Sequence, residues 1–145
     1  MFFEGLQARF PGRVAYKRGY DDELAHWIEA AADIFLMPSR YEPCGLNQMY
    51  SLRYGTIPVA PRAGGPAHSV RMSAPAPGRA TGFVLNTFAP PAMSWAMNTA
   101  LDLHADPALW TRLVHNAMAE GFSWARQTRE YEALYRRLGA STPQG

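Results

Sequence analysis

The residues Glu42-Pro43-Cys44-Gly45 separate an apolar run from a stretch with helical spacing, within "PSRYEPCGLNQMYSLRYG" at 38–55. A loop of this kind delivers the Gly45, Leu46 and Asn47 amides to the start of a helix. Unpaired amides and the helix dipole at that point attract an anion or a hydroxyl-rich group. Glu42 beside this positive end has two readings of equal weight: a plain helix cap, or a carboxylate that acts on a bound ligand. Cys44 is the only cysteine of the chain. It reads as a small buried hydrophobe and not as a nucleophile, since no histidine stands near it in sequence. A second loop, Ala63-Gly64-Gly65, lets backbone amides approach a phosphate, although a Gly-Gly pair by itself favours a plain turn.

Other signals narrow the chemistry. His26, His68, His104 and His115 lie far apart with no ligand spacing, so no metal site is expected. No Gly-x-Gly-x-x-Gly follows a strand, which disfavours a dinucleotide-dependent oxidoreductase.

These loops need elements to hold them. Residues 2–10 read as the tail of a helix ended by Pro11-Gly12, and "RVAYKRGY" as a short strand. In "DDELAHWIEAAA", Leu24, Trp27, Ile28 and Ala31 fall at helical spacing behind an Asp21/Asp22 start signal. "DIFLMPS" is a continuous apolar run, the pattern of a strand buried on both faces of a parallel sheet. Leu46 to Tyr54 is a helix closed by Gly55, "TIPVAP" the next strand, and "RAGGPAHSV" a glycine turn leading into a helix start. Arg71 to Thr81 reads as an exposed loop, and "GFVLN" as a last strand. Helices follow at about 90–104, 107–120 behind Asp106-Pro107, and 124–138. In the last of these, Trp124, Thr128, Tyr131, Tyr135 and Leu138 form one stripe. Strands alternating with helices imply an α/β fold with a Rossmann-like parallel sheet, flanking helices and a C-terminal helical segment. Ligands of such sheets bind beyond the carboxyl ends of the strands, where both unusual loops lie.

The chain of 145 residues, 48% hydrophobic, suffices for one domain. Its net charge is +2, and its single lysine, Lys17, and its arginines form no basic block. Arg136-Arg137 reads as a solvated helix face, so no nucleic-acid partner is expected. One cysteine excludes an intrachain disulfide. The N-terminus lacks the pattern of a signal peptide, and no apolar run is long enough to cross a membrane. A cytoplasmic location without membrane association is the expectation.

The stretch "ADIFLMPSRYEPCGLNQMYSLRYGTIPVAPRAGGPAHSV" resembles the central signature of bacterial glycogen synthases and plant starch synthases. The match to "PSRxEPCGLxQxYxxRYGTxPV" is long and nearly uninterrupted. It continues through "GFVL" and the terminal "FSW…Y…LYRRL", covering residues 2–138. The family are retaining GT-B glycosyltransferases that move glucose from ADP-glucose to the non-reducing end of an α-1,4-glucan. The resemblance implies that Glu42 contacts the donor glucose and supports an oxocarbenium-like transition state. Cys44, Gly45 and Leu46 would cradle the glucose, Asn47 would lie at the phosphate, and Gly64-Gly65 would form the second nucleotide-side loop. Tyr20, after Gly19 at a strand end, would stack on the adenine; the plainer alternative is a half-buried strand-end tyrosine.

Three positions depart from the family pattern. Ala63 replaces the usual Thr, Pro66 the usual Leu, and His68 the usual Asp, so the second loop's hydrogen bonding differs from the family's. The resemblance also implies an acceptor-binding N-terminal lobe and a diphosphate-binding Arg/Lys segment that these residues do not include. Residues 1–140 are therefore expected to form an incomplete nucleotide-sugar-binding C-terminal lobe, with 141–145 as a tail. No metal or organic cofactor is expected, because charged side chains and helix dipoles stabilise the leaving diphosphate. The expected partners are ADP-glucose and, through the N-terminal lobe, the glucan. The isolated chain is expected to be inactive and to self-associate. The alternative is a non-catalytic nucleotide-sugar or glucan-binding module.

Overall fold

A computed structural model describes residues 2–71 and 78–140. Helix α1 spans Phe2–Arg9, α2 Asp22–Ala31, α3 Asn47–Tyr54, α4 Pro66–Ser69, α5 Pro90–His104, α6 Pro107–Met118 and α7 Trp124–Ala140. The strands are β1 (Ile34–Leu36), β2 (Ile57–Pro61) and β3 (Phe83–Leu85), all parallel in the order β1-β2-β3. The register pairs Ile34 with Ile57 on one side of β2 and Val59 with Phe83 on the other. This is the α/β fold with flanking helices that the alternation of elements implies. The tail at 141–145 and most of the loop expected between Arg71 and Thr81 lie outside the described residues.

Local chemistry explains the helix ends. The Asp21 carboxylate accepts from the Leu24 amide over 3.1 Å, and the Asp106 carboxylate accepts from the Ala108 and Leu109 amides. Each thus satisfies donors that a first helical turn leaves unpaired. Pro107 follows Asp106 at a position where no amide is needed. Gly55 ends α3 in the left-handed region, φ 87°. The core gathers Leu52 from α3, Ile57 and Val59 from β2, Phe83 and Leu85 from β3, and Ala96, Ala100, Trp110, Leu113 and Ala117 from α5 and α6. Every residue of β2 is buried, as befits the middle strand.

Three expectations are corrected. "RVAYKRGY" forms no strand, because it has no neighbouring strand to pair with among the described residues. Its backbone is held instead by the Tyr16 amide donating to Gln7 Oε1, while Tyr16 stacks on Phe3. Tyr20 consequently does not end a strand. "DIFLMPS" contributes only a short edge strand, and its Leu36 is 39% exposed. The apolar stripe of α2 also faces outward: Trp27 is 66% exposed and Ile28 52%. α2 packs against α3 through another face, on which His26 meets Tyr50 and Glu29 is buried. The hydroxyl of Thr56 donates to the Glu29 and Ala32 carbonyls and ties the end of α2 to the start of β2.

Candidate functional site

The two loops singled out in the sequence meet at the carboxyl ends of β1 and β2. The Gly65 amide donates to the Glu42 carbonyl over 3.0 Å. A Cβ on Gly64 would stand 1.8 Å from the Glu42 carbonyl oxygen, and one on Gly65 would stand 1.5 Å from that of Cys44. Only hydrogens fit there, so the Gly-Gly pair is required for the loops to close on each other. This is a different reason for the glycines from either a plain turn or close approach to a phosphate.

A buried side chain locks the contact. Gln48 is fully buried in the first turn of α3, and its Nε2 donates to the Cys44 carbonyl (3.3 Å) and to Ser69 Oγ (3.0 Å). Ser69 Oγ in turn donates to the Gly65 carbonyl over 2.9 Å. Cys44, Gln48, Ser69 and Gly65 form one chain of hydrogen bonds across both loops and the short helix α4. Sequence reasoning missed Gln48 and Ser69. Their spacing of 21 residues carries no local signal.

Around this clamp the expected site residues fall into two groups. Glu42, Cys44, Gly45, Gly64 and Gly65 share the loop contact. Tyr20, Leu46 and Asn47 line a neighbouring cleft of about 270 Å³, together with His26, Glu29 and Tyr50. Leu46 opens α3 without a side-chain cap, so Glu42 does not cap that helix. The cap reading is thereby removed, and the carboxylate has no hydrogen-bond or ion-pair partner among the described residues. Cys44 is exposed, against the expectation of burial, because the loop turns its backbone rather than its thiol toward Gln48 and Gly65. Tyr20 is 91% exposed and not half-buried. Its hydroxyl donates to Asp22 over 3.1 Å, and that bond, with the carboxylate's charge, pushes the phenol up from its ordinary value. The ring is thus tethered at one end and open on its faces.

Cationic side chains stand at the same sheet end. Arg62, directly after β2, donates from Nε to Asn86 after β3, and the Arg40 guanidinium lies 5.5 Å from the Phe88 ring centre. Pro66 is buried at the start of α4, whereas His68 is exposed. Among the described residues no cluster of His, Cys, Asp or Glu could hold a metal ion, and no helix is long and apolar enough to cross a membrane.

Comparison with known proteins gives concordant matches. The family model for glycosyl transferases group 1 matches residues 11–118. A glycogen synthase of Anaeromyxobacter sp. (strain K) is 53% identical over 128 residues, covering 88% of this chain and 27% of the relative. One from Thioalkalivibrio sulfidiphilus is 48% identical over 136 residues, covering 92% of this chain and 28% of the relative. The chain thus spans under a third of the length of these curated relatives. Among solved structures, the catalytic domain of starch synthase IV from Arabidopsis thaliana, bound to ADP and acarbose, superposes with a TM-score of 0.79. The two are 37% identical, over 94% of this chain and 29% of that one. A sucrose-phosphate synthase from Thermosynechococcus elongatus is 28% identical with a TM-score of 0.61, over 96% of this chain and 34% of that one.

Proposed function

The chain belongs to the glycosyl transferases group 1 family, and on that premise we propose that it forms the donor side of a glycogen or starch synthase. Residues 1–140 bind ADP-glucose as part of a GT-B C-terminal lobe. In a protein of the relatives' length, glucose passes to the non-reducing end of an α-1,4-glucan with the anomeric configuration retained. The observation that carries this reading is the pair of interlocked loops at the sheet's carboxyl end, beside the uncapped start of α3.

The chemistry follows from what those elements offer. Amides of Gly45, Leu46 and Asn47 at the start of α3 suit the diphosphate and the sugar hydroxyls, since they carry partial positive charge. Glu42, held by its backbone to Gly65, leaves its carboxylate to oppose the positive charge that develops at the anomeric carbon. Fixed charges of this kind lower a barrier because they need no reorganisation during the reaction. Cys44 positions the loop through its carbonyl. The Tyr20 ring provides a face for the adenine. No metal or organic cofactor enters this scheme, and cytoplasmic location is part of the proposal.

As an isolated 145-residue chain the protein binds donor without transferring glucose, because transfer requires a positioned acceptor as well. Calorimetric titration with ADP-glucose tests the central reading. Binding that Tyr20→Ala weakens is expected, and absence of binding by the wild-type chain overturns it. A second reading is a non-catalytic nucleotide-sugar or glucan-binding module. Joined to an N-terminal lobe, glucan elongation above a Glu42→Ala control would exclude that second reading.

A further inference from the structure

The inward face of α2 carries two buried polar atoms without a hydrogen-bond partner among the described residues. Glu29 is 5% exposed, and its Oε2 is sealed from solvent without a hydrogen-bond partner. Three residues earlier on the same face, His26 Nδ1 is likewise buried and unpartnered. Both residues line the cleft that also holds Tyr20, Leu46, Asn47 and Tyr50. A buried polar atom without a partner is costly, so such a pair needs a compensating role or a ligand that completes it. Carboxyl torsions are broad and roughly two-fold, so the two Glu29 oxygens can exchange places.

We infer that Glu29 and His26 read the edge of the donor's base and select one that bears an exocyclic amino group. The inference rests on the nucleotide-sugar reading given above. Glu29 supplies an acceptor, and His26, in the tautomer protonated at Nδ1, supplies a donor beside it. Adenine and cytosine present the complementary edge, an amino N–H next to a ring nitrogen that accepts. Hypoxanthine and uracil present the reverse, a carbonyl next to a ring N–H. They would set oxygen against carboxylate and N–H against N–H. The Tyr20 ring, 91% exposed at the mouth of this cleft, supplies a stacking face for any base. Stacking alone does not choose between bases, so the choice falls to the edge-reading pair.

The test compares ADP with IDP by calorimetry, since the two differ only in the base edge. Wild type is expected to bind ADP about tenfold or more tightly than IDP, the usual size of discrimination when a buried polar site is left mispaired. Glu29→Gln offers both an acceptor and a donor, so the preference should collapse to within about twofold. Glu29→Met should lose the preference as well, and melting curves on both variants confirm that they fold. Equal binding of ADP and IDP by wild type, which needs no variant, overturns the inference. An ADP preference that survives both substitutions also overturns it while leaving the nucleotide-sugar reading intact. If neither nucleotide binds wild type, that reading falls and this inference falls with it.

Discussion

The Gly65 amide and the Glu42 carbonyl are joined by a hydrogen bond of 3.0 Å, so the loop after β1 and the loop after β2 behave as one body. The carboxylate of Glu42 and the start of α3 therefore take their positions from a residue on a different strand–helix unit. Disturbing either loop should displace both.

Gly64→Ala is the most direct disturbance. The new methyl would stand 1.8 Å from the Glu42 carbonyl oxygen, on a backbone with φ +57°. Strain in the left-handed region and overpacking against backbone together predict a loss of roughly 2–4 kcal/mol. Urea denaturation measures it. Unchanged stability would mean that the loops part without cost and that the clamp is not a structural unit.

The buried Gln48 yields a second prediction. Gln48→Leu removes the donor to Cys44 and Ser69 while keeping similar volume, and should destabilise the chain by about 1–3 kcal/mol. Ser69→Ala should cost less, and the double variant should lose less than the sum, because both act on one hydrogen-bond chain. Strict additivity in a double-mutant cycle would show that Gln48 and Ser69 do not cooperate across the loops.

These two residues also show what the sequence could not convey. The caps at Asp21 and Asp106, the existence of a strand at "TIPVAP" and the three C-terminal helices rest on short-range patterns and were legible. So was the need for something unusual at Glu42–Gly45 and Gly64–Gly65. Which strand is buried was not legible, since the run "DIFLMPS" suggested β1 and the structure buries β2. The contact between the two loops was not either, because it joins segments whose proximity depends on the sheet. The same limit explains "RVAYKRGY", whose residues suit a strand but have no strand beside them among the described residues. It explains α2 as well: Trp27 and Ile28 have the spacing of a core stripe, yet the helix's partner is α3, reached through His26 and Glu29.

Glu29 makes the chain's stability depend on pH. Burial pushes its carboxyl up from the ordinary value, and neighbouring His26 draws it part of the way back. With the folded-state value above the unfolded one, the native chain holds the proton more tightly. Stability from this group is therefore present at low pH and declines as pH rises from the ordinary carboxyl value through the raised one. Glu29→Gln keeps the shape and removes the charge. Its melting temperature should exceed that of wild type near neutral pH, with the difference shrinking as pH falls below the ordinary carboxyl range. A variant less stable than wild type at neutral pH would show that the carboxylate has a partner in solution.

The last prediction concerns association. Among the described residues β1 pairs with β2 on one side only, and Leu36 at its end is 39% exposed. An unpaired strand edge invites another strand. The stripe on α7 is exposed too, with Trp124 at 79%, Tyr131 at 55% and Tyr135 at 68%. Its residues recur at spacings of four and three, which suits packing against a second helix. An apolar helix face of this extent is seldom left in water. The isolated chain should therefore self-associate at micromolar concentration, seen as a mass above 16.1 kDa by light scattering. Tyr131→Glu with Tyr135→Glu should return it to monomer if α7 is the contact. If this variant still associates while a charged substitution at Leu36 prevents it, edge pairing of β1 is the cause. A wild-type chain that stays monomeric with a cooperative thermal transition would show that neither surface is sticky enough to matter.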